Sequence, residues 1–169
     1  LKENFEFQEN AEVAIEIKDS EDYFTAQING QGPMGTMISV VRREEYTSKV
    51  KVCVDNPHVE VPLKENGKLD VSTAVGNNGF LNIINKSEAT DTNYNGLVPL
   101  VTGEIAEDFT DYFAKSQQKP TVIASGVLVN KDGVKASGGY MIQLMPDATE
   151  EDIVKIETAL SKAPSISQM

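Results

Sequence analysis

A chain of 169 residues, 40% hydrophobic and 24% charged, has the size and composition of one ordinary globular domain with a real core. Its formal net charge of -11 at pH 7, with Arg42 and Arg43 as the only arginines, argues against nucleic acid, because binding phosphates requires clustered Lys and Arg. No apolar run approaches the roughly 18 residues of a membrane span, and one cysteine and one histidine cannot form an intrachain disulfide or supply the roughly four ligands of a structural zinc site.

The chain starts at Leu1 with no signal-peptide pattern, and a lone thiol, Cys53, suits a reducing compartment. Acidic residues crowd the segment from Glu3 to Asp22, which reads as a solvated face or edge strand rather than a site for a basic partner. Val13, Ile15 and Ile17 alternate with charged residues, the period-two mark of a half-buried strand, and Phe24, Ala26 and Ile28 repeat it. Gly30, Gly32 and Gly35 in GQGPMG then satisfy a GxGxxG spacing. A dinucleotide site needs a helix after those glycines, whereas Thr36 to Val41 is strand-like and Pro33 sits inside the loop, so the glycines are expected to make a tight turn between strands.

Val50, Val52 and Val54 alternate with Lys49, Lys51 and Cys53, which puts the cysteine on a face with lysines. That is a setting for a reactive thiol, but a lone strand cysteine is ordinarily an inert small residue. Turns are expected at Asn56-Pro57-His58 and Asn66-Gly67, with a strand from Val59 to Leu63 between them. His58 has no framed nucleophile to serve as general base, so it reads as a turn histidine. A short helix is predicted over Val71 to Val75, capped by Asp70 and stopped by Gly76, then a strand from Phe80 to Ile84 and a polar loop from Lys86 to Asn95.

The stretch VPLVTGEIAEDFTDYF, Val98 to Phe113, reads as a buried strand turning directly into an amphipathic helix. Ile105, Phe109, Tyr112 and Phe113 recur at helical spacing, and Glu104, Glu107 and Asp108 fall in the first turns, where the helix dipole favours negative charge. Val122 to Val129 and Tyr140 to Leu144 flank the Lys131-Asp132-Gly133 turn as a long hairpin, with Gly138 and Gly139 marking a bulge or a close backbone approach. A last helix starts at Thr149, with Asp152 completing its cap and Ile153, Ile156 and Leu160 as its apolar stripe, and Pro164 limits it. Strands in succession with few helices predict an α+β fold, an antiparallel β-sheet platform with a few packed helices.

Several of these stretches resemble one family. LVPLVTGEIAEDFTDYFAKSQQKP from Leu97, GPMG at Gly32, DNPHVEVPLKENGKLDVSTAVGNNGFLNI from Asp55, GVLVNKDGVKASGGYMIQLMP from Gly126 and PSIS at Pro164 are similar, in order and spacing, to the thirty-three-kilodalton, redox-regulated heat-shock chaperone (HslO) family. The likeness covers roughly Asp22 to Ser167. It implies a chaperone core over residues 1–163 and the start of a linker at 164–169, acting in the cytoplasm in the stress response. It also implies a carboxy-terminal zinc redox-switch module with two cysteine pairs. Residues 1–169 contain no such pairs, so zinc is expected only outside this chain and no cofactor, catalytic or metal-ligating residue is expected within it.

Three functions follow for comparison. The first, implied by the resemblance, is an ATP-independent holdase that binds unfolding or partly unfolded client proteins, gated by the zinc module, with a homodimer as an open alternative. Strong net charge with exposed apolar area is compatible with it. The second is a non-chaperone interaction or structural domain. The third is an enzyme using Glu104, Glu107 and Asp108 as acid and base, which lacks a nucleophile, metal cluster or cofactor loop to work with.

Overall fold

The computed structural model describes residues 23–43, 48–87, 91–130, 133–163 and 166; the alternation at Val13 to Ile17 lies outside them. The strands are β1 (Tyr23–Asn29), β2 (Met37–Arg43), β3 (Ser48–Val54), β4 (Phe80–Ser87), β5 (Thr92–Pro99), β6 (Thr121–Asn130) and β7 (Gly133–Gln143). The helices are α1 (Val71–Val75), α2 (Ile105–Lys115) and α3 (Glu150–Lys162). The first five strands form one antiparallel sheet in the order β3-β2-β1-β4-β5, and β6 and β7 pair as a separate antiparallel hairpin. The fold is α+β, as expected.

The sheet separates its two faces by simple alternation. Phe24, Ala26 and Ile28 of β1, Leu81 and Ile83 of β4, and Val98 of β5 share the core face with Val41, and Val75 and Tyr112 close over them from α1 and α2. Ile105, Phe109 and Phe113 pack half-buried against the same cluster, as the helical spacing required. Helix α2 also reaches the hairpin, because the Thr110 hydroxyl accepts from the Ile123 N–H at 3.2 Å.

The glycine loop is a turn, and its glycines have a packing reason. The Gly32 N–H donates to Val75 O at 2.9 Å and the Met34 N–H to Ala74 O at 3.0 Å, so the loop docks directly on the end of α1. A side chain on Gly30 or Gly32 would run into the backbone of residues 74–76. At the other end of α1, Asp70 accepts from the Ser72 hydroxyl at 2.6 Å and the Thr73 hydroxyl at 2.8 Å, the expected cap, and Gly76 ends the helix at φ +77°.

Three local expectations change. Val59 to Leu63 is not a strand; the segment is a loop closed by a single bridge between Leu63 and Leu69 around the Asn66-Gly67 turn, and Pro62 removes a ladder donor from it. The polar loop is shorter than Lys86 to Asn95, because β5 begins at Thr92: Asn93 and Asn95 pair with Lys86 and Ile84, tertiary pairing overriding poor strand propensity. Residues 97 to 101 are not uniformly buried, since Val98 and Leu100 face the core while Leu97 and Val101 face outward. In the hairpin the register slips at Leu128/Val129 rather than at the glycines, and Gly139 approaches the Ala124 carbonyl closely. Helix α3 carries the full Thr149–Asp152 capping box yet has no buried residue; Ile156 and Leu160 line a shallow apolar groove against Tyr140 and Ile142 of β7.

Candidate functional site

Among the described residues no element covers the face of the five-stranded sheet opposite the core. Cross-strand register sets Ile38, Gln27, Asn82 and Leu97 in one row across β2, β1, β4 and β5, with Val40, Thr25, Ile84 and Asn95 in the next. Phe80 stands beside the first row, opposite Asn29. Phe80 is 53% exposed, Ile84 38% and Leu97 61%, so a mixed apolar and amide surface runs over the central strands. It arises from runs such as FLNII and LVPLV, in which adjacent apolar residues necessarily point to opposite faces of a strand. That doubling was the signal available in the sequence, where the Val98 stretch was read as a buried strand and the Phe80 to Ile84 run only as a strand.

Within this face lies an open cleft of about 340 Å³ lined by Gln27, Asn29, Gln31, Asn82, Phe80 and Leu97. Asn29 and Gln31 already have partners: Asn29 donates to the Thr36 hydroxyl at 3.0 Å and accepts from the Gln31 N–H at 2.9 Å, and Gln31 accepts from Asn78 at 3.2 Å. Asn82 differs, because its Oδ1 is buried and accepts no hydrogen bond.

The carboxylates of α2 have structural partners. Glu104 occupies the N-cap position, without a side-chain capping bond, and pairs with the Lys64 ammonium at 2.5 Å, which joins the 59–70 loop to the start of the helix. The hydrogen bond to Glu104 is the main reason Lys64 holds its proton above the usual lysine value, against a smaller effect of burial. Asp108, 2% exposed, turns back to accept from the Val101 and Thr102 N–H groups at 2.7 and 3.1 Å. Glu104 and Asp108, four residues apart, therefore serve separate contacts, while Glu107 is exposed. They form no acid and base pair.

Cys53 is exposed on edge strand β3, and His58 is exposed in its turn, where its N–H donates to Asn56 Oδ1 at 3.2 Å. Among the described residues no three of His, Cys, Asp and Glu gather as metal ligands, so these side chains do not fit a zinc site. No helix among them is long and apolar enough to cross a membrane.

A family model described as "Hsp33 protein" matches residues 10–169. The chain belongs to the Hsp33 family. It is 47% identical over 157 residues to the 33 kDa chaperonin of Clostridioides difficile (strain 630), covering 93% of this chain and 53% of that one. It is 43% identical over 160 residues to the 33 kDa chaperonin of Thermoanaerobacter sp. (strain X514), covering 94% and 53%. The crystal structure of the 33 kDa chaperonin from Thermotoga maritima superposes with a TM-score of 0.79 at 39% identity, covering 88% of this chain and 50% of that one. The chain thus spans about half the length of the curated relatives it matches. Hsp33 membership agrees with the resemblance carried by the Leu97 to Pro120 and Gly126 to Pro146 stretches.

Proposed function

We propose that this Hsp33-family chain is the client-binding core of an ATP-independent holdase chaperone of the cytoplasm, holding unfolding proteins on the open face of its five-stranded sheet. The observation that carries this reading is the exposure of Phe80, Ile84 and Leu97 together on the face opposite the core. Burial of apolar surface gives roughly 25 cal/mol per Å², so a patch of this kind suffices for weak, sequence-tolerant capture of exposed apolar segments. A net charge of -11 keeps a protein with such a patch soluble.

In this reading residues 1–163 form the client-binding domain and residues 164–169 begin the linker. The redox-sensitive zinc module that the family resemblance implies would do the gating, and its ligands are not among the side chains described here. The same open face would also mediate pairing of two copies. Light scattering of a heat-denaturing client tests the reading: the 169-residue chain, without ATP, suppresses aggregation equally with reductant or peroxide. No suppression in either state would sink it.

A further inference from the structure

We propose that the segment Val13 to Glu21 of this chain docks as an extended strap on the open face of the five-stranded sheet, with Glu21 and Asp19 at its basic end and Ile17 and Ile15 at its apolar end. Strands β1 to β5 hold no Asp or Glu, in a chain that has 26 of them, yet they carry Arg42, Arg43, Lys49, Lys51 and Lys86. Register sets four of these cations on the open face at one end. Lys49, Arg42 and Lys86 share the row of Tyr23, where Arg42 stacks on the Tyr23 ring at 5.3 Å, and Lys51 falls in the next row, with Thr25 and Ile84. Two further rows follow, Ile38 and Leu97 with Gln27, then Phe80 with Asn29. Of the acids in the adjoining turns, Asp91 is exposed and Glu44, Glu45 and Glu88 lie outside the described residues. A face that is basic at one end and apolar at the other fits a segment with carboxylates followed by apolar side chains.

The chain itself supplies such a segment. Ahead of Tyr23 it carries eight carboxylates against Lys2 and Lys18, and it enters the sheet on the middle strand at the basic end. In an extended chain alternate side chains share a face, so Val13, Ile15, Ile17, Asp19 and Glu21 form one side of the segment, with Glu12, Glu16 and Lys18 on the other. Counted back from Tyr23, that side reads acid, acid, apolar, apolar at intervals of two residues. Counted along β1 from Tyr23, the rows of the open face read cation, cation, apolar, apolar at the same interval. Folded back antiparallel over β1, the segment brings Glu21 to Arg42 and Lys86, Asp19 within a lysine's reach of Lys51, Ile17 between Ile38 and Leu97, and Ile15 beside Phe80. Ser20 and Asp22 are suited to the reversal this requires. An external polyanion is a poorer occupant, because the net charge of -11 repels it, whereas a tethered segment is present at high effective concentration. The docking does not depend on the chaperone reading; combined with it, the strap competes with clients for Phe80 and Leu97.

The experiment attaches a nitroxide to Cys53, the chain's single thiol, which stands opposite Ile38 on the same face, and reads the paramagnetic relaxation of the Ile15 and Ile17 amides in the isotope-labelled 169-residue chain. Strong relaxation at low salt falls about tenfold in Lys51→Glu/Lys86→Glu, the value of a few surface ion pairs, and returns when Asp19→Lys/Glu21→Lys is added. Relaxation that is equal in the parent and the reversed face, or that the compensating change fails to restore, overturns the docking. A second measurement needs no substitution: about 1 M NaCl shortens the screening length to about 3 Å, releases the strap and lowers the same relaxation, and indifference to salt overturns the docking as well. Relaxation arising only between a spin-labelled chain and a separate isotope-labelled one assigns the face to the strap of a second copy and overturns the intramolecular contact. No relaxation in the parent leaves the basic rows to an external acidic partner and also overturns it. The light-scattering assay decides the chaperone reading separately from all of these outcomes.

Discussion

The ring of Tyr112 lies against Gly96, so that a methyl group at position 96 would sit 2.5 Å from the ring carbon Cε2 and 2.7 Å from the hydroxyl oxygen. This contact seats α2 on β5, and the hydroxyl, pointing past the strand, accepts from Gln117 Nε2 at 3.1 Å. Tyr112 is almost fully buried and cannot swing away. Gly96→Ala therefore destabilises the domain by about 1–3 kcal/mol through overpacking. Urea unfolding should show a lower midpoint with an unchanged slope.

Asp108 ties the turn after β5 to the first turn of α2 through two backbone N–H groups. Asp108→Ala removes a charged acceptor from two part-buried donors and costs about 1.5–3 kcal/mol. Asp108→Asn keeps one accepting oxygen and costs less, about 1 kcal/mol. Thermal unfolding of the two variants should rank them in that order; equal stabilities would show that the bonds contribute little.

The acid response has a local origin. Asp152 lies below its ordinary value of 3.8 chiefly because the Thr149 hydroxyl donates to it, and Asp70 lies below 3.8 chiefly because Ser72 donates to it. Depressed folded-state values mean that the stability these carboxylates lend is fully present above the unfolded value near 3.8 and is lost as pH falls through the folded value. Helix α3, with no buried residue to hold it, should fray below pH 3.8 before the sheet does. Carboxyl titration by NMR is the check, and Thr149→Ala should return the Asp152 midpoint toward 3.8. Lys64 behaves in the opposite sense: raised above 10.5 by Glu104, its contribution is present below that pH and is lost as pH rises through the folded value.

Phe80 and Leu81 are adjacent in sequence and opposite in consequence. Leu81 is fully buried, and Leu81→Ala should cost about 2–5 kcal/mol. Phe80→Ser/Leu97→Ser removes only exposed apolar surface, so its melting temperature should stay close to that of the parent while aggregation suppression falls several-fold. Retained suppression in a folded double variant would move the client site off this face, toward the hairpin where Val122, Val127 and Leu128 are also exposed.

Cys53→Ser should leave aggregation suppression unchanged under reducing and oxidising conditions alike, since the thiol stands alone on an edge strand. A redox difference confined to the unsubstituted chain would make Cys53 a sensor.

The local signals were legible because each depends on neighbours in sequence. Asp70 before Val71 and Thr149 three residues before Asp152 form caps within a single turn, and Ile105, Phe109 and Tyr112 share a helix face by spacing alone. The strands at Phe24 to Ile28 and Phe80 to Ile84 were legible for the same reason, as was the α+β class that follows from their succession. The glycine loop could be read as a turn from the strand that follows it, and membership of the family rested on motifs read in order.

Only tertiary structure decided which apolar residues remain outside. Phe80 and Leu81, or Leu97 and Val98, look alike in sequence, and the difference arises because α1 and α2 cover one face of the sheet. Pairing of Asn93 and Asn95 with β4 required a partner strand 7 to 11 residues away, which outweighs their own propensity for a loop. The roles of Glu104 and Asp108 were likewise set at a distance. Lys64 reaches Glu104 across 40 positions, and Asp108 turns back upon Val101 and Thr102, so charges that sequence assigns to a helix dipole become the ties that hold a loop and a strand to the helix. The Gln27–Asn82 pair is the clearest instance: 55 residues separate two ordinary amides that only the register of β1 against β4 makes neighbours.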